Sequence, residues 1–175
     1  MIIYTDGACS GNGSAHAVGG FAAIVLDDNE NYITSYHEQV KDTTNNRMEL
    51  SAILWAMIKY GKEKPAPIVY SDSAYCVNTL TSWMYGWARR GWIKSNNKEP
   101  ENLDLIQAFY KLVEQGYVID LRKCNGHSGD YWNEQADKLA VAAKEDMQEI
   151  TIQVLKFNDP NKNNTIIKKE DFNGR

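Results

Sequence analysis

Apolar positions in this chain fall into blocks of strand length first and of helix period later. Ile2-Ile3-Tyr4-Thr5-Asp6-Gly7-Ala8-Cys9 is β-branched and apolar, and it ends at the turn-forming run Ser10-Gly11-Asn12-Gly13. Val18 to Leu26 is continuously apolar. Tyr32 to Val40 alternates loosely after the polar turn Asp27-Asp28-Asn29-Glu30-Asn31. Connections this short predict an antiparallel meander of three strands. The period then changes. Leu50, Ile53, Leu54, Met57 and Ile58 recur at helical spacing, so a helix is predicted from Asn45 or Asn46 to about Tyr60, stopped by Gly61 and Pro65. Ile68-Val69-Tyr70 predicts a brief strand, Tyr75 to Leu80 a two-turn helix, and Leu103 to Gln115 a further helix. Val118 to Lys123 predicts a strand, and Trp132 to Lys144 a helix with Ala136, Leu139, Ala140 and Ala143 inward. Between them, Trp83 to Trp92 is amphipathic and rich in tryptophan, and Ser95 to Asn102 is a polar loop.

This order predicts an α/β fold. Its sheet is mixed and five-stranded, three strands antiparallel and then two parallel, with helices on both faces. Sites in such sheets form beyond the carboxyl ends of strands. Asp72 ends one strand, and the loop holding His127 follows another. Glu149 to Phe157 alternates again and Thr165 to Ile167 is β-prone, so the last residues predict an added strand or hairpin, with a turn at Asn158 to Asn161.

Asp6 breaks the strand pattern. Alternate strand residues share a face, so Asp6 points the same way as Ile2 and Tyr4. A carboxylate on an apolar face is costly unless a charge or a hydrogen-bond donor meets it; a metal ion would do so.

Composition narrows the class without naming it. A chain of 175 residues predicts a single main domain, and 43% hydrophobic with 24% charged residues is ordinary for a globular protein. No apolar run approaches membrane-spanning length, and a strand that begins at Met1 predicts no signal peptide. Three scattered cysteines predict reduced thiols and a cytoplasmic location rather than a disulfide framework or a zinc site. A net charge of −4 argues against a protein that coats nucleic acid, while leaving room for a local basic patch.

Taken singly, the polar residues have ordinary explanations. Asp6 could cap its own turn. Glu49 stands three residues after Asn46, close to a capping box. Asp72 is placed to cap the helix after it. Asp137 could be a solvated edge residue, and His127 a loop residue. Together they stand in six ordered motifs: Thr5-Asp6-Gly7-Ala8-Cys9-Ser10-Gly11-Asn12, Thr44-Asn45-Asn46-Arg47-Met48-Glu49-Leu50, Ser71-Asp72-Ser73-Ala74-Tyr75, Trp83-x-x-x-Trp87-x-x-x-Gly91-Trp92, Gly126-His127-Ser128-Gly129 and Asn133-Glu134-x-Ala136-Asp137-x-Leu139-Ala140. This set resembles type 1 ribonuclease H, the prokaryotic ribonuclease HI family.

The resemblance implies a ribonuclease H-like fold over residues 1–146, with residues 147–175 as a C-terminal extension. It implies a metal-dependent endonuclease that hydrolyses the RNA strand of RNA–DNA hybrids to 5′-phosphate and 3′-hydroxyl ends. By position, Asp6, Glu49, Asp72 and Asp137 match the metal-binding carboxylates and His127 the mobile catalytic histidine. The cofactor implied is Mg²⁺, two ions with substrate, with Mn²⁺ as a substitute. The partner implied is the hybrid duplex, bound by a monomer and without a membrane. Cys9, Ser10, Gly11, Asn12, Asn45 and Asn46 match positions that line the minor groove, where the 2′-hydroxyl marks RNA. The segment Trp83 to Lys98, with Trp87, Arg89, Arg90, Trp92 and Lys94, resembles the family's basic protrusion, whose tryptophans mainly pack while its cations meet DNA phosphates. The chain departs from the family pattern in three places. Gly13 stands where a proline usually follows Gly-Asn, Ala74 replaces a larger polar residue, and the tail has no counterpart. A hybrid-binding module without catalysis would lack a carboxylate, but all four are present. An exonuclease or integrase of similar fold fits the paired asparagines and the tryptophan segment poorly.

Overall fold

The computed structural model describes residues 1–124 and 130–147, together with the backbone of the strands at 149–154 and 163–168. Five strands form one sheet in the order β3-β2-β1-β4-β5, built from β1 (Ile2–Ser10), β2 (Val18–Leu26), β3 (Tyr32–Lys41), β4 (Ile68–Ser71) and β5 (Asp120–Lys123). β1, β2 and β3 are antiparallel neighbours, while β4 runs parallel to β1 and β5 parallel to β4.

Side-chain alternation along β1 and β2 explains why both faces of the sheet are covered. Tyr4, Ala22, Ile24 and Leu26 bury against Trp132, Ala136, Leu139 and Ala140 of α5 (Tyr131–Lys144). Ile3, Ala23 and Val25 on the opposite face bury against Ala56 of α1 (Asn45–Tyr60) and Val69. The other flank of α1 presents Leu50, Ile53 and Met57 to a second core. There it meets Ile106 and Phe109 of α4 (Leu103–Glu114), together with Cys76, Leu80 and Met84. Gly20 lets α5 close on the sheet: a Cβ there would lie 2.3 Å from the Ala140 carbonyl oxygen.

Three expectations shift. The helix after Asp72 does not stop at Leu80. α2 (Ala74–Asn78) continues through a π-helical turn (Thr79–Trp83) into α3 (Met84–Arg89), because the break comes only at Gly91, with φ 71°. Strand β5 starts at Asp120 rather than Val118, because the Val118 amide donates to the Gly61 carbonyl and is withdrawn from the ladder. Thr44 caps α1 through its hydroxyl, which accepts from the Arg47 amide at 3.2 Å. Glu49 therefore lies beyond the capping turn, and the Asn46–Glu49 capping box is not formed.

At the C-terminal end, β6 (Glu149–Val154) and β7 (Asn163–Lys168) pair antiparallel as a separate two-stranded sheet. The turn expected at Asn158 to Asn161 lies outside the described residues.

Candidate active site

The site begins where a ladder ends. β1 pairs with β2 along its whole length, but with β4 only from Ile2↔Ile68 to Tyr4↔Tyr70. Asp6 and Asp72 each stand two residues past that last pair. A hydrogen bond from the Thr5 hydroxyl to the Tyr70 carbonyl, 2.9 Å long, pins the two strands at the mouth of the gap. Asp6 is on the α5 face with Tyr4, as strand alternation requires, and only 3% exposed.

Glu49 comes from the opposite face. It reaches the gap because Gly7 has no side chain: a Cβ there would lie 2.5 Å from the Glu49 amide nitrogen and 2.6 Å from the Met48 carbonyl carbon. The start of α1 thus rests directly on β1. Asp72 is left free for other duty because Ser73, not Asp72, caps α2, its hydroxyl accepting from the Cys76 amide at 3.2 Å.

Asp6, Glu49 and Asp72 each place a ligand oxygen within 4.8 Å of the other two. The Asp6 and Glu49 carboxyls face one another, and Glu49 Oε2 is buried without a hydrogen-bond donor. Burial pushes the Asp6 carboxyl up to about 7, and the charges of Asp72 and Asp137 push the same way. Burial, and then the Asp6 charge, hold the Glu49 carboxyl well above its ordinary range. Three converging carboxylates and a buried orphan oxygen suit a hard divalent cation with oxygen preference, Mg²⁺ or Mn²⁺. Cys124, beside this cluster, is unsuited as a thiolate ligand. Burial and the charges of Asp130, Asp72 and Asp6 push its thiol up to about 12, and its Sγ donates to Asn133 Oδ1 at 3.4 Å.

Asp137 is half-buried on α5, close enough for its charge to act on Asp6, yet it stands apart from the three-carboxylate group. His127 and its loop lie outside the described residues.

Of the groove candidates, Asn12 has a structural duty: its Oδ1 accepts the first amide of α1, from Asn45, at 3.0 Å. Ser10, Gly11, Asn45 and Asn46 are exposed beside it, and Cys9 is half-buried with its Sγ directed at the Thr43 carbonyl. The turn forms without the proline. Gly11, with φ 67°, accepts from the Ser14 amide at 2.8 Å. In the aromatic segment, Trp87 and Trp92 pack onto the second core, Trp92 edge-on to Tyr110 with centroids 5.2 Å apart. Trp83 is exposed. Arg89, Arg90, Lys94 and Lys98 form no salt bridge among the described residues, which leaves their charge for an outside partner.

Sequence reasoning missed Thr44, Ser73 and Gly7. Each carried a local signal: a hydroxyl residue just before a helix, and a glycine inside a strand, which marks close backbone approach.

The RNase H family model matches residues 1–145. Ribonuclease H of Wolbachia pipientis wMel is 40% identical over 143 residues, covering 82% of this chain and 94% of that protein. The solved structure of LC9-RNase H1, described as a type 1 RNase H with the type 2 active-site motif, is 30% identical. It superposes with a TM-score of 0.68 over 83% of this chain and 72% of that one. LC11-RNase H1, solved in complex with RNA/DNA hybrid, is 23% identical and shares the fold with a TM-score of 0.60, covering 83% of this chain and 96% of its own.

Proposed function

Because the chain belongs to the RNase H family, and is a ribonuclease H, we propose that it cuts the RNA strand of RNA–DNA hybrids internally. The products are 5′-phosphate and 3′-hydroxyl ends, and the cutting depends on divalent metal held by Asp6, Glu49, Asp72 and Asp137. The observation that carries the metal reading is the convergence of three carboxylates around a buried Glu49 oxygen that nothing in the fold satisfies. Two Mg²⁺ ions bound there, or Mn²⁺ in their place, would supply an activated water and charge stabilisation of the leaving oxygen.

The chain's own residues set the rest. Asp6 and Glu49, whose carboxyls burial holds above their ordinary range, would have to be deprotonated to hold a cation, so metal affinity is expected to rise with pH through neutrality. Asp72, half-buried just past the end of β4, is the more accessible of the three converging carboxylates. Asp137 adds negative charge from α5. His127 is assigned proton handling near the attacking water or the leaving oxygen on its motif alone. Cys9, Ser10, Gly11, Asn12, Asn45 and Asn46 form the edge that meets 2′-hydroxyls. Arg89, Arg90 and Lys94 meet the DNA-strand phosphates, while Trp87 and Trp92 pack onto the second core beneath them and Trp83 stands exposed beside Trp87. We assign the catalytic domain to residues 1–146 and treat 147–175 as an extension. The enzyme is read as a monomer, and as cytoplasmic in keeping with its three free cysteines.

Labelled hybrid incubated with and without Mg²⁺, beside Asp72→Asn, tests this reading. Internal cuts in RNA alone, requiring Mg²⁺ and lost in the variant, are expected. Tight hybrid binding with no cutting in either metal would overturn it in favour of a binding module. The protrusion has its own test. Arg89→Ala with Arg90→Ala is expected to raise KM while kcat is kept. The slope of log K against log salt is expected to become shallower by about 0.9 for each phosphate that the protein no longer neutralises. An unchanged slope would remove these arginines from the interface.

A further inference from the structure

One turn of α4 touches both helix starts that carry site carboxylates. Asp104, in that turn, takes a two-pronged ion pair from Arg47 of α1, with Nη1 at 2.8 Å from Oδ1 and Nη2 at 2.7 Å from Oδ2. Asn102, the residue that caps α4, donates from Nδ2 to the Tyr75 hydroxyl of α2 at 3.0 Å. Asn102 holds a left-handed backbone, φ 58°, and its carbonyl accepts from the Leu105 and Ile106 amides. Its backbone is thereby fixed relative to the α4 axis, and the Tyr75 hydroxyl holds its side chain.

On the other ends, Arg47 lies two residues before Glu49, and Tyr75 three after Asp72. Successive helix residues turn by about 100°, so Arg47 and Glu49 project roughly 200° apart. Arg47 is directed toward α4 and Glu49 toward Asp6. The Arg47 amide and carbonyl are also engaged, by the Thr44 and Ser51 hydroxyls. Beneath this, Leu50 and Ile53 of α1, Cys76 of α2 and Ile106 of α4 share one buried cluster. An exposed ion pair adds little stability, yet a forked guanidinium–carboxylate pair fixes direction as a single hydrogen bond cannot.

We propose that the first turn of α4 is a positioning bracket. Through Asp104–Arg47 and Asn102–Tyr75 it sets the spacing of Glu49 and Asp72, and hence the metal affinity and turnover of the site. This rests on the ribonuclease H reading of the carboxylates. Arg47, Asp104, Tyr75 and Asn102 are positioning residues and touch no reacting atom.

The test compares Asp104→Asn, Tyr75→Phe and the conservative Asp104→Glu with the full wild-type chain. Steady-state kinetics on labelled hybrid is read beside calorimetric titration with Mg²⁺ alone. Asp104→Asn and Tyr75→Phe are expected to lower kcat about 10-fold and to weaken Mg²⁺ binding by a similar factor, the low end of what loss of a direct partner of a metal ligand costs, because these residues act one contact further out. KM is expected to hold, and Asp104→Glu to restore both quantities. Wild-type kcat and Mg²⁺ affinity in Asp104→Asn would overturn the bracket. So would a rise in KM alone in Arg47→Ala with a flatter salt dependence, which would make Arg47 a phosphate ligand. If the wild type cuts no hybrid, the ribonuclease reading fails, while the Mg²⁺ titration still decides the bracket.

Discussion

In the Asp6→Asn variant, cleavage of hybrid is expected to fall about a thousandfold or more, the several kcal/mol that a metal contributes to such a reaction. The same variant is expected to melt higher than wild type when no divalent metal is present. Both follow from one carboxyl, 3% exposed and facing Glu49. Its folded pKa is about 7 against an ordinary 3.8. The folded state therefore holds this proton more tightly than the unfolded chain. The stability this supplies is complete below about pH 4 and is lost as pH rises through about 7. The gap corresponds to at most about 4 kcal/mol. Metal-free wild type is thus expected to lose melting temperature steadily between about pH 4 and pH 7 and to level off above that. Asparagine carries no such charge, so Asp6→Asn is expected to show a flatter curve that lies above wild type at pH 8. Added Mg²⁺ is expected to raise the wild-type melting temperature more at pH 8 than at pH 6 and to leave Asp6→Asn nearly unmoved. Scanning calorimetry across that pH range, with and without Mg²⁺, checks all three. Full activity in Asp6→Asn, or a metal-free wild type most stable at pH 8, would sink the assignment of Asp6.

Why these carboxylates stood out in the sequence, and why their company did not, has a physical basis. Asp6 was legible because strand periodicity is strict: an acid at an even position beside Ile2 and Tyr4 must face α5. Glu49 and Asp72 were ambiguous because a carboxylate near a helix start is usually a cap. The ambiguity was settled by Thr44 and Ser73, neutral residues that satisfy the orphan amides and so free both acids. The pattern of strands was legible almost to the residue, whereas the start of β5 was not. It depends on a single long-range hydrogen bond, from Val118 to Gly61, that no local pattern encodes. The run from Ala74 to Arg89 looked like two segments because its apolar phase slips at Thr79–Trp83, where the backbone takes a π-helical turn instead of breaking. The pairing of Arg47 with Asp104 joins positions 57 apart and was legible from neither end.

Gly7→Ala is expected to be costly to both stability and catalysis, through a residue that has no side chain to do chemistry. The added Cβ would stand 2.5 Å from the Glu49 amide nitrogen and 2.6 Å from the Met48 carbonyl carbon. These are backbone atoms of a helix capped by Thr44, seated on Phe21 through Met48 and Ala52, and tied to α4 by Arg47. They cannot swing aside as a flexible side chain would. Relief requires the start of α1 to lift from β1. Overpacking of this kind costs about 1–3 kcal/mol, which in a chain of this size lowers the melting temperature by about 2–4 °C for each kcal/mol. The lift also carries Glu49 away from Asp6. A misplacement near 1 Å costs about a hundredfold in rate, so kcat is expected to fall by that order and Mg²⁺ binding to weaken with it. Gly20→Ala separates the two effects. Its Cβ would meet the Ala140 carbonyl oxygen at 2.3 Å and the Lys144 amide nitrogen at 2.4 Å, at the C-terminal turn of α5 beyond Asp137, and leaves the seat of Glu49 untouched. It is expected to lose comparable stability with a smaller loss of kcat below its melting point. Equal kcat losses in the two variants would mean that the close seat of α1 on Gly7 serves packing alone. A loss confined to Gly7→Ala would mean that a bare backbone position on β1 sets where Glu49 meets Asp6.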